Sequence, residues 1–346
     1  MKNRVLMQGN TAICESAIMS GCIAYYGYPI TPQNEISAHM SKRMRELNRV
    51  FIQAESEIAA INMVLGTSVT GTRVMTSSSS PGISLKQEGI SYLCGCELPA
   101  VIVNIMRGGP GLGNISGSQG DYFQSTKGGG HGDYKMIVMS PDSVQEMYDL
   151  TADTFELADK YRNPVMLLAD GYLGQIMEPV IVDKPVMKNS FEKNWVLDGC
   201  KNRAPRKIRS LLMNDGELEQ FNWHLNDKYN KIRQTEVRYE SVNIEDAEIV
   251  IIAFGIVARI CRDVILKLRA KGIKIGMIRP VTLWPFPEKI IGEIAGKLKY
   301  ISVIEMNLGQ MVEDVRLAVN GKCPVEFFGK PGGAIFTVDE IISKIK

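Results

Sequence analysis

Cysteine pairs with the C-x-x-C spacing are missing from this sequence. Its 346 residues include seven cysteines, but none of them forms a C-x-x-C pair. Iron–sulfur clusters and structural zinc sites are usually built on such pairs, so neither is expected on this chain. Cys94-Gly-Cys96 is the closest approach, and buried reduced thiols are its simpler interpretation. If the protein handles electrons, we expect the metal centres to lie on other chains.

A strong net charge, a long apolar run and a nucleotide-binding glycine motif are also missing. The formal net charge is only +2, which gives no reason to expect a nucleic-acid partner. No apolar run reaches the roughly 20 residues of a membrane helix, and the segment MKNRVLMQGN lacks a signal-peptide core. Neither G-x-G-x-x-G after a first strand nor a Walker loop occurs, which argues against nicotinamide and P-loop nucleotides. We therefore expect a cytoplasmic protein that binds neither nucleic acid nor a membrane.

What the sequence does contain is a first half in which short apolar runs alternate with helical patterns. The run Pro99–Met106 is almost continuously apolar, as expected for a strand that is covered on both faces. Alternation of this kind predicts a doubly wound, parallel α/β sheet. The predicted strands are Arg4–Met7, Val50–Ala54, Arg73–Thr76, Pro99–Met106, Met136–Ser140 and Pro164–Asp170.

The pattern breaks in the middle of the chain and then returns. The intervening segment is rich in charge and proline, and it includes a polar helical stretch at Gly216–Tyr239. We predict a first domain at 1–178, an irregular and helical linker at 179–246, and a smaller α/β domain at 247–346. A basic cluster in the linker could bind an anion, although a solvated face or a docking surface is the commoner explanation. The cluster consists of Lys201, Arg203, Arg206, Lys207 and Arg209.

The segment Tyr25–Ile36 carries two prolines that bracket Ile30-Thr31. Pro32 suits the first position of a helix, which would make Thr31 its N-cap. On one interpretation the segment is a strand end, a turn and a capped helix start. On the other it binds an anion, because a helix N-terminus offers free N–H groups and the positive end of a dipole.

Ligands of a doubly wound sheet bind at the carboxyl ends of its strands. The stretches that fall on this edge are Tyr28–Thr31, Ser56-Glu57, Ser77–Gly82 and the loop after Met106. The loop extends over residues 107–134 without clear secondary structure, which is unusual in a compact domain and indicates a binding role. Arg107 directly follows a buried strand and is placed to hold a carboxylate in its fork of donors.

Glu57 stands between a predicted strand end and the apolar start of a helix. A partly desolvated carboxyl there would have a raised pKa, which suits a group that holds or shares a proton. The alternative is that Glu57 only complements the dipole of its helix N-terminus. Glu55 is a competing carboxylate, and the sequence alone does not separate the two.

Several motifs along the chain resemble a known family. They read YPITPQNE, QAESEIAAINM, SSSSPGISLKQEGISY, ELPAVIVNIMRGGPGLGN, QGDYFQSTKGGGHGDY and KYRNPVMLLADGYLGQ. Together they look like the alpha subunit of the 2-oxoacid:ferredoxin oxidoreductases, and most of all like the branched-chain type that acts on 3-methyl-2-oxobutanoate. The resemblance is dense across Met1–Glu178 and persists through Glu248–Lys346.

The resemblance implies a thiamine diphosphate enzyme with a pyrimidine-binding first domain and a transketolase C-terminal-like second domain. Glu57 matches the catalytic glutamate that hydrogen-bonds the aminopyrimidine ring of the cofactor. Thr31 and Arg107 match the residues that hold the 2-oxoacid substrate. The other residues that we expect to bind the cofactor are Ser79, Gly108 and His131.

Two positions depart from the family pattern. Ser80 stands where relatives commonly carry glycine, and Asn34 stands where a small hydroxyl residue is usual. The serine at position 80 bears on the geometry of the loop that contains it. Neither change touches the three residues Thr31, Glu57 and Arg107.

The magnesium motif of thiamine enzymes is missing as well. Such enzymes hold the diphosphate through Mg²⁺ with a G-D-G motif, and Ala169-Asp170-Gly171 does not complete that pattern. The resemblance therefore implies no metal site on this chain and a beta subunit that carries Mg²⁺ and the diphosphate site. It also implies gamma and ferredoxin-like delta subunits, with iron–sulfur clusters held by partner chains. This chain should supply half of an active site and be inactive alone.

The leading hypothesis is oxidative decarboxylation of a branched-chain 2-oxoacid to acyl-CoA and CO₂, with CoA as acyl acceptor and ferredoxin as electron acceptor. One alternative keeps the chemistry but changes the substrate to 2-oxoglutarate or pyruvate. Another is a scaffold subunit without catalytic contact, which the presence of Thr31, Glu57 and Arg107 argues against.

Overall fold

The structure is a computed structural model that describes residues 4–182 and 191–345, so residues 183–190 of the predicted linker lie outside the described part. The strands are β1 (Arg4–Gln8), β2 (Ala24–Gly27), β3 (Val50–Gln53), β4 (Val74–Ser78), β5 (Ala100–Met106), β6 (Ile137–Met139), β7 (Pro164–Asp170), β8 (Met177–Ile181), β9 (Tyr239–Val242), β10 (Ile249–Ile252), β11 (Ile275–Pro280), β12 (Thr282–Trp284), β13 (Tyr300–Glu305) and β14 (Val325–Gly329). The helices are α1 (Gly9–Met19), α2 (Asn34–Glu46), α3 (Glu57–Ser68), α4 (Ser80–Gly95), α5 (Val144–Tyr161), α6 (Gly171–Gln175), α7 (Glu217–Thr235), α8 (Gly255–Arg269), α9 (Glu288–Ala295), α10 (Met311–Val319) and α11 (Val338–Ile342). A π-helical turn occupies Gln124–Gly128. Within the described ranges, no helix is long and apolar enough to cross a membrane.

Seven strands form the first sheet, in the order β12-β6-β7-β5-β4-β2-β3. They pair in parallel except for β12, which is antiparallel to β6. Every residue of β4, β5 and β7 is buried, which shows that helices cover both faces of the sheet. The helix pairs α1–α5 and α3–α4 pack together in these layers. The predicted doubly wound α/β sheet is confirmed.

Five strands form the second sheet, in the order β14-β13-β10-β11-β9. All pairs are parallel except β11–β9. The strand β9 precedes residue 247, so this sheet draws a strand from the segment that we predicted to be a linker. The strand β1 also departs from the prediction, because it pairs antiparallel with β8 in a separate two-stranded sheet.

The start of α2 differs from the sequence prediction. We expected Pro32 to begin this helix with Thr31 as its N-cap, but the helix begins at Asn34 with Gln33 in the N-cap position. The Pro32 carbonyl instead accepts hydrogen bonds from the amides of Asn10 and Gln175, both at 2.9 Å. Tertiary partners therefore take a carbonyl of the predicted first turn, and the Thr31 N-cap prediction is wrong.

The loop that follows β5 connects the two domains. Gln119 donates from Nε2 to the Phe254 carbonyl at 2.8 Å, and its Oε1 accepts from the Met306 amide at 3.0 Å. Asp170, at the end of β7, accepts at 3.0 Å from the amide of Ile256 in the first turn of α8. These bonds tie the carboxyl edge of the first sheet to the start of the second domain.

Candidate functional site

The candidate site lies where β4 and β5 end and where α3 and α4 begin. The turn between β2 and α2 reaches the same edge, because Arg107 donates to the Thr31 carbonyl. The first turn of α4 contacts both Glu57 and Arg107, through Gly82 and Ser80 respectively. The sheet edge predicted from the sequence therefore brings Glu57, Arg107 and Thr31 into one region.

Glu57 is the first residue of α3, and only 5% of its surface is exposed. Ser56 caps this helix by accepting from the Ala59 amide at 3.2 Å, so the cap does not need the Glu57 carboxylate. No hydrogen bond or ion pair to that carboxylate occurs within the described ranges. Glu55 is exposed. The structure thus distinguishes the two acids: Glu57 is buried with free oxygen atoms.

The first turn of α4 packs directly on this carboxylate. A Cβ atom on Gly82 would overlap with Glu57 Oε1 and with Ser78 Oγ. Glycine is therefore required for the close approach of the helix backbone. Ser79 precedes this turn in the N-cap position, and its buried hydroxyl has no partner in the described residues.

Arg107 is buried beside the turn that contains Thr31. Its Nη1 donates to the Thr31 carbonyl and its Nη2 to the Leu112 carbonyl, both at 3.0 Å. The Thr31 hydroxyl accepts from the Asn34 side chain at 3.1 Å, so the unusual Asn34 contacts a predicted substrate residue. Two backbone carbonyls hold the guanidinium in place, while each terminal nitrogen keeps a second N–H.

Ser80, the departure from the family pattern, belongs to a buried network. Its hydroxyl donates to Asp121 Oδ2 at 2.6 Å and accepts from the Arg107 amide at 3.0 Å. Asn104 donates to the same carboxylate oxygen at 2.9 Å. Burial raises the pKa of Asp121, against these hydrogen bonds. This network was not predicted from the sequence. The one indication of it in the sequence is Asn104, a polar residue within the apolar strand β5.

Unsatisfied buried polar atoms gather at this edge of the sheet. Most buried polar groups in proteins have a hydrogen-bond partner, so a cluster of unpaired ones indicates a place for a polar ligand. The unpaired atoms here are Ser78 Oγ, Ser79 Oγ, Asn104 Oδ1 and Arg107 Nε.

Gly108 and His131, two predicted cofactor residues, lie in the long loop. The Gly108 amide donates to Ser116 and its carbonyl accepts from Asn114, both at 2.9 Å, so its backbone folds the loop on itself. His131 is exposed, and its ring packs edge-on against Tyr92 with the ring centroids 6.1 Å apart. The structure therefore places Gly108 beside Arg107 and leaves His131 near the far end of α4.

The described residues contain no group of three or more His, Cys, Asp or Glu side chains that could hold a metal ion.

Two family models match this chain. Residues 15–243 match the model described as pyruvate flavodoxin/ferredoxin oxidoreductase, thiamine diphosphate-binding. Residues 247–341 match the model described as pyruvate:ferredoxin oxidoreductase core domain II.

Curated proteins and solved structures show matching similarities. The ketoisovalerate oxidoreductase subunit VorB of Methanothermobacter marburgensis is 50% identical, over 99% of this chain and 97% of its own length. The 2-oxoglutarate synthase subunit KorA of Methanocaldococcus jannaschii is 36% identical, over 97% of each chain. The 2-oxoglutarate:ferredoxin oxidoreductase of Magnetococcus marinus, solved with 2-oxoglutarate, coenzyme A and succinyl-CoA, superposes with a TM-score of 0.90 at 28% identity. That match covers 99% of this chain, which spans 65% of the other chain's length.

Proposed function

Since the chain belongs to the pyruvate flavodoxin/ferredoxin oxidoreductase family, we propose that it is the alpha subunit of a 2-oxoacid:ferredoxin oxidoreductase. The proposed reaction is oxidative decarboxylation of 3-methyl-2-oxobutanoate to acyl-CoA and CO₂, with ferredoxin as electron acceptor. The observation that carries the proposal is the buried carboxylate of Glu57, which has no hydrogen-bond partner within the described ranges.

The substrate proposal rests on the difference in similarity between two groups of relatives. The ketoisovalerate relatives are 49% and 50% identical, whereas the archaeal 2-oxoglutarate relatives are 34% to 36% identical. Substrate choice depends on a few contacts in the pocket, which overall identity does not report. The preference for 3-methyl-2-oxobutanoate must therefore be tested against 2-oxoglutarate and pyruvate.

The residues at the sheet edge fit the pyrimidine half of thiamine diphosphate. When bound, this cofactor supplies the carbon nucleophile that adds to the ketone of a 2-oxoacid and lets CO₂ leave. Glu57 would hold a proton at a ring nitrogen, which its free and buried carboxylate suits. Ser79, with its unpaired hydroxyl, and Gly108 are the other residues proposed to hold the cofactor, with His131 farther along the loop.

Arg107 and Thr31 are proposed to bind the substrate. The guanidinium is already held by two carbonyls, so its remaining N–H groups are oriented before the substrate arrives. Charge-assisted hydrogen bonds from such a fork to a carboxylate are strong, particularly where water is excluded. These residues would fix the 2-oxoacid carboxylate and leave its ketone facing the cofactor.

The rest of the active site is proposed to come from partner chains. Because the sequence lacks G-D-G, a beta subunit would hold Mg²⁺ and the diphosphate. Gamma and ferredoxin-like delta subunits would complete the complex, with partner chains carrying the iron–sulfur clusters. All seven cysteines are free thiols, which fits the reducing cytoplasm in which we place the complex. The domain limits 1–178, 179–246 and 247–346 are part of the same proposal.

The test compares Glu57→Gln with Glu55→Gln in the reconstituted complex. General acid–base groups contribute about 10²–10⁴-fold to a rate, so Glu57→Gln should reduce turnover by that factor. Glu55→Gln is the matched control and should retain turnover, because Glu55 is exposed. A loss below tenfold for Glu57→Gln, or a larger loss for Glu55→Gln, would overturn the assignment.

A second assay addresses the substrate. The wild-type complex should show its highest kcat/KM with 3-methyl-2-oxobutanoate, compared with 2-oxoglutarate and pyruvate under the same conditions. A higher value for either competitor would move the substrate assignment to that acid. Full turnover after loss of both Glu57 and Arg107 side chains would instead support a scaffold role.

A further inference from the structure

Leu112 carries one of the most exposed apolar side chains in the described ranges, with 83% of its surface accessible. Its backbone, by contrast, is held in place, because its carbonyl accepts from Arg107 Nη2 at 3.0 Å. The other terminal nitrogen of the same guanidinium donates to the Thr31 carbonyl, also at 3.0 Å. Leu112 and Thr31 therefore occupy equivalent places at the two ends of the Arg107 fork.

The turn that carries Leu112 is closed at its base and attached to the second domain. The Asn114 amide donates to the Gly108 carbonyl at 2.9 Å, and the Asn114 side chain donates to the Gly332 carbonyl at 2.6 Å. A Cβ atom on Gly113 would overlap with the Gly108 carbonyl oxygen, so this closure requires glycine. The exposed leucine thus stands on a fixed turn rather than on a loose surface loop.

A substrate carboxylate held by Arg107 would lie close to Leu112. The Cα atom of a residue is about 2.4 Å from its own carbonyl oxygen. The Leu112 Cα therefore lies within about 5.4 Å of Arg107 Nη2. A leucine side chain on this Cα can contact the short carbon chain of a 2-oxoacid that is bound through its carboxylate.

The two stretches that hold the Arg107 fork are themselves uncharged. Residues 24–34 and residues 108–120 contain no Asp, Glu, Lys, Arg or His. An aliphatic substituent suits such surroundings. The second carboxylate of 2-oxoglutarate would find no cation in these stretches, and an unpaired charge is costly to bury. The opposite wall of the site would come from the proposed partner chain, which would cover the Leu112 side chain in the complex.

We propose that Leu112 is a specificity-determining residue, which packs against the alkyl side chain of a branched 2-oxoacid while Arg107 holds the carboxylate. This inference rests on the proposed function, because it assumes that Arg107 binds the substrate. It deepens that function by naming the residue and the contact that favour an aliphatic acid over a dicarboxylic acid.

The first experiment measures selectivity in the reconstituted complex. Leu112→Ala shortens the side chain but keeps the carbonyl that Arg107 contacts. One methylene in an apolar pocket is worth about 10–200-fold, so kcat/KM for 3-methyl-2-oxobutanoate relative to pyruvate should fall by about tenfold or more. Pyruvate is the internal reference, because its methyl group is too short to make the full contact. Both acids are assayed on the same preparation, so this ratio does not depend on how much of the complex assembles.

The matched control is Ile115→Ala, which removes another exposed apolar side chain from the same loop. Ile115 is 65% exposed and lies outside the turn that Gly108 and Asn114 close, so its loss should leave the ratio unchanged. An equal loss of kcat/KM for every acid in Leu112→Ala would indicate a role in folding or in docking the partner, and would overturn the proposal. A change of ratio in Ile115→Ala as large as in Leu112→Ala would overturn it as well.

The second experiment measures substrate binding without turnover. In complexes that also carry Glu57→Gln, calorimetric titration with 3-methyl-2-oxobutanoate should show binding that is weaker by about tenfold or more for Leu112→Ala than for wild-type Leu112. Equal affinities would contradict the inference. A wild-type complex that decarboxylates none of the three 2-oxoacids would overturn the proposed function itself. An active complex whose selectivity does not respond to Leu112→Ala would overturn only this inference, so the two failures can be told apart.

Discussion

Arg107 shows how a single residue can be prepared for binding without an acidic partner among residues 4–182 and 191–345. Its terminal nitrogens donate to two backbone carbonyls, and its buried Nε has no partner in the described part of the chain. Such a guanidinium keeps its full positive charge for an incoming anion. What sets Arg107 apart is this arrangement together with its position at the sheet edge beside Thr31.

We predict that Arg107→Ala raises the KM for the 2-oxoacid strongly and that Arg107→Lys does not restore it. Loss of one partner of a buried charged pair costs roughly 2–5 kcal/mol, and a point charge cannot reproduce a bidentate fork. Steady-state kinetics of the complex would measure this. Arg49→Ala is a suitable control, because Arg49 also donates to two backbone carbonyls but lies away from the site. A normal KM for both Arg107 variants would show that this residue only supports its loop.

Lys86 of α4, which is completely buried, leads to a prediction about stability and pH. Its pKa is about 7 in the folded protein, against 10.5 for an unperturbed lysine. Between these values the unfolded chain binds the extra proton, so the contribution of Lys86 to stability increases as the pH rises from about 7 to 10.5. The difference in free energy of unfolding between wild type and Lys86→Met should therefore shift in favour of wild type as the pH rises through this range. The shift should reach up to about 1.4 kcal/mol per pH unit. Urea unfolding of both proteins at pH 7 and pH 9 tests this, and a difference that does not change with pH would refute it.

Individual residues of the candidate site could be predicted from the sequence in part. Sequence reasoning predicted Glu57, Arg107 and Thr31 as site residues because each follows a recognisable strand or turn, and the structure brings the three to one sheet edge. It did not predict that Lys86 of α4 is buried, since a lysine in a helical pattern is usually solvated, whereas the structure shows its hydrogen bonds to Thr76 and Ser77 of β4. The residues alone did not separate Glu57 from Glu55; the resemblance favoured Glu57, and the structure shows that Glu57 is buried and Glu55 exposed.

Among the elements, the first turn of α4 packs closely against both α3 and the residue that follows β5. It approaches Glu57 at Gly82 and joins β5 through Ser80 and Arg107. Both contacts depend on the helix backbone lying close to its neighbours. A small change in this turn should therefore affect the site before it affects the rest of the fold.

We predict that Gly82→Ala lowers turnover and destabilises the chain by about 1–3 kcal/mol, as overpacking commonly does. The new Cβ would overlap with Glu57 and Ser78. Gly66→Ala is the control: Gly66 is inside α3 and has open space around it, so alanine should stabilise that helix by roughly 0.5–1 kcal/mol. Thermal unfolding and turnover of both variants would be compared. Equal behaviour of the two variants would mean that the close approach at Gly82 has no function.

The elements that the sequence predicted best are the buried parallel strands. The bounds of β7 agree with the prediction, and β5 differs by one residue, because strands covered on both faces are continuous apolar runs. The short strands β9 and β12 were missed. Each exists because a distant strand pairs with it, and such pairing leaves no local pattern in the sequence. The predicted start of α2 was wrong for a similar reason, since Asn10 and Gln175, which are distant in the sequence, donate to the Pro32 carbonyl of the predicted first turn.

For the whole molecule, the resemblance to the 2-oxoacid:ferredoxin oxidoreductases is confirmed by both family models and by relatives of similar length. The two-domain α/β fold is confirmed as well. Substrate preference could not be derived in the same way, because it depends on side chains around the ketone that no motif in one sequence marks. The need for partner chains is likewise indicated only indirectly in this sequence, by the missing G-D-G motif.

We predict that the isolated chain binds thiamine diphosphate weakly even with Mg²⁺ present, and that adding the beta subunit restores tight binding. The proposed site would contact the pyrimidine ring, whereas the sequence lacks the motif for the diphosphate. Calorimetric titration of the purified chain, repeated with the partner, measures both affinities. Tight binding or decarboxylation by the chain alone would require a diphosphate site within it and would refute the shared-site proposal.

The strand β12 has a consequence for any attempt to divide the molecule. This strand follows the second domain's β11 in sequence, yet its residues pair with β6 at the margin of the first sheet. A fragment that ended before the second domain would leave the β6 backbone open, and open strands recruit other chains into aggregates. By covering this edge the second domain would keep the first from self-association, so both domains should be expressed together.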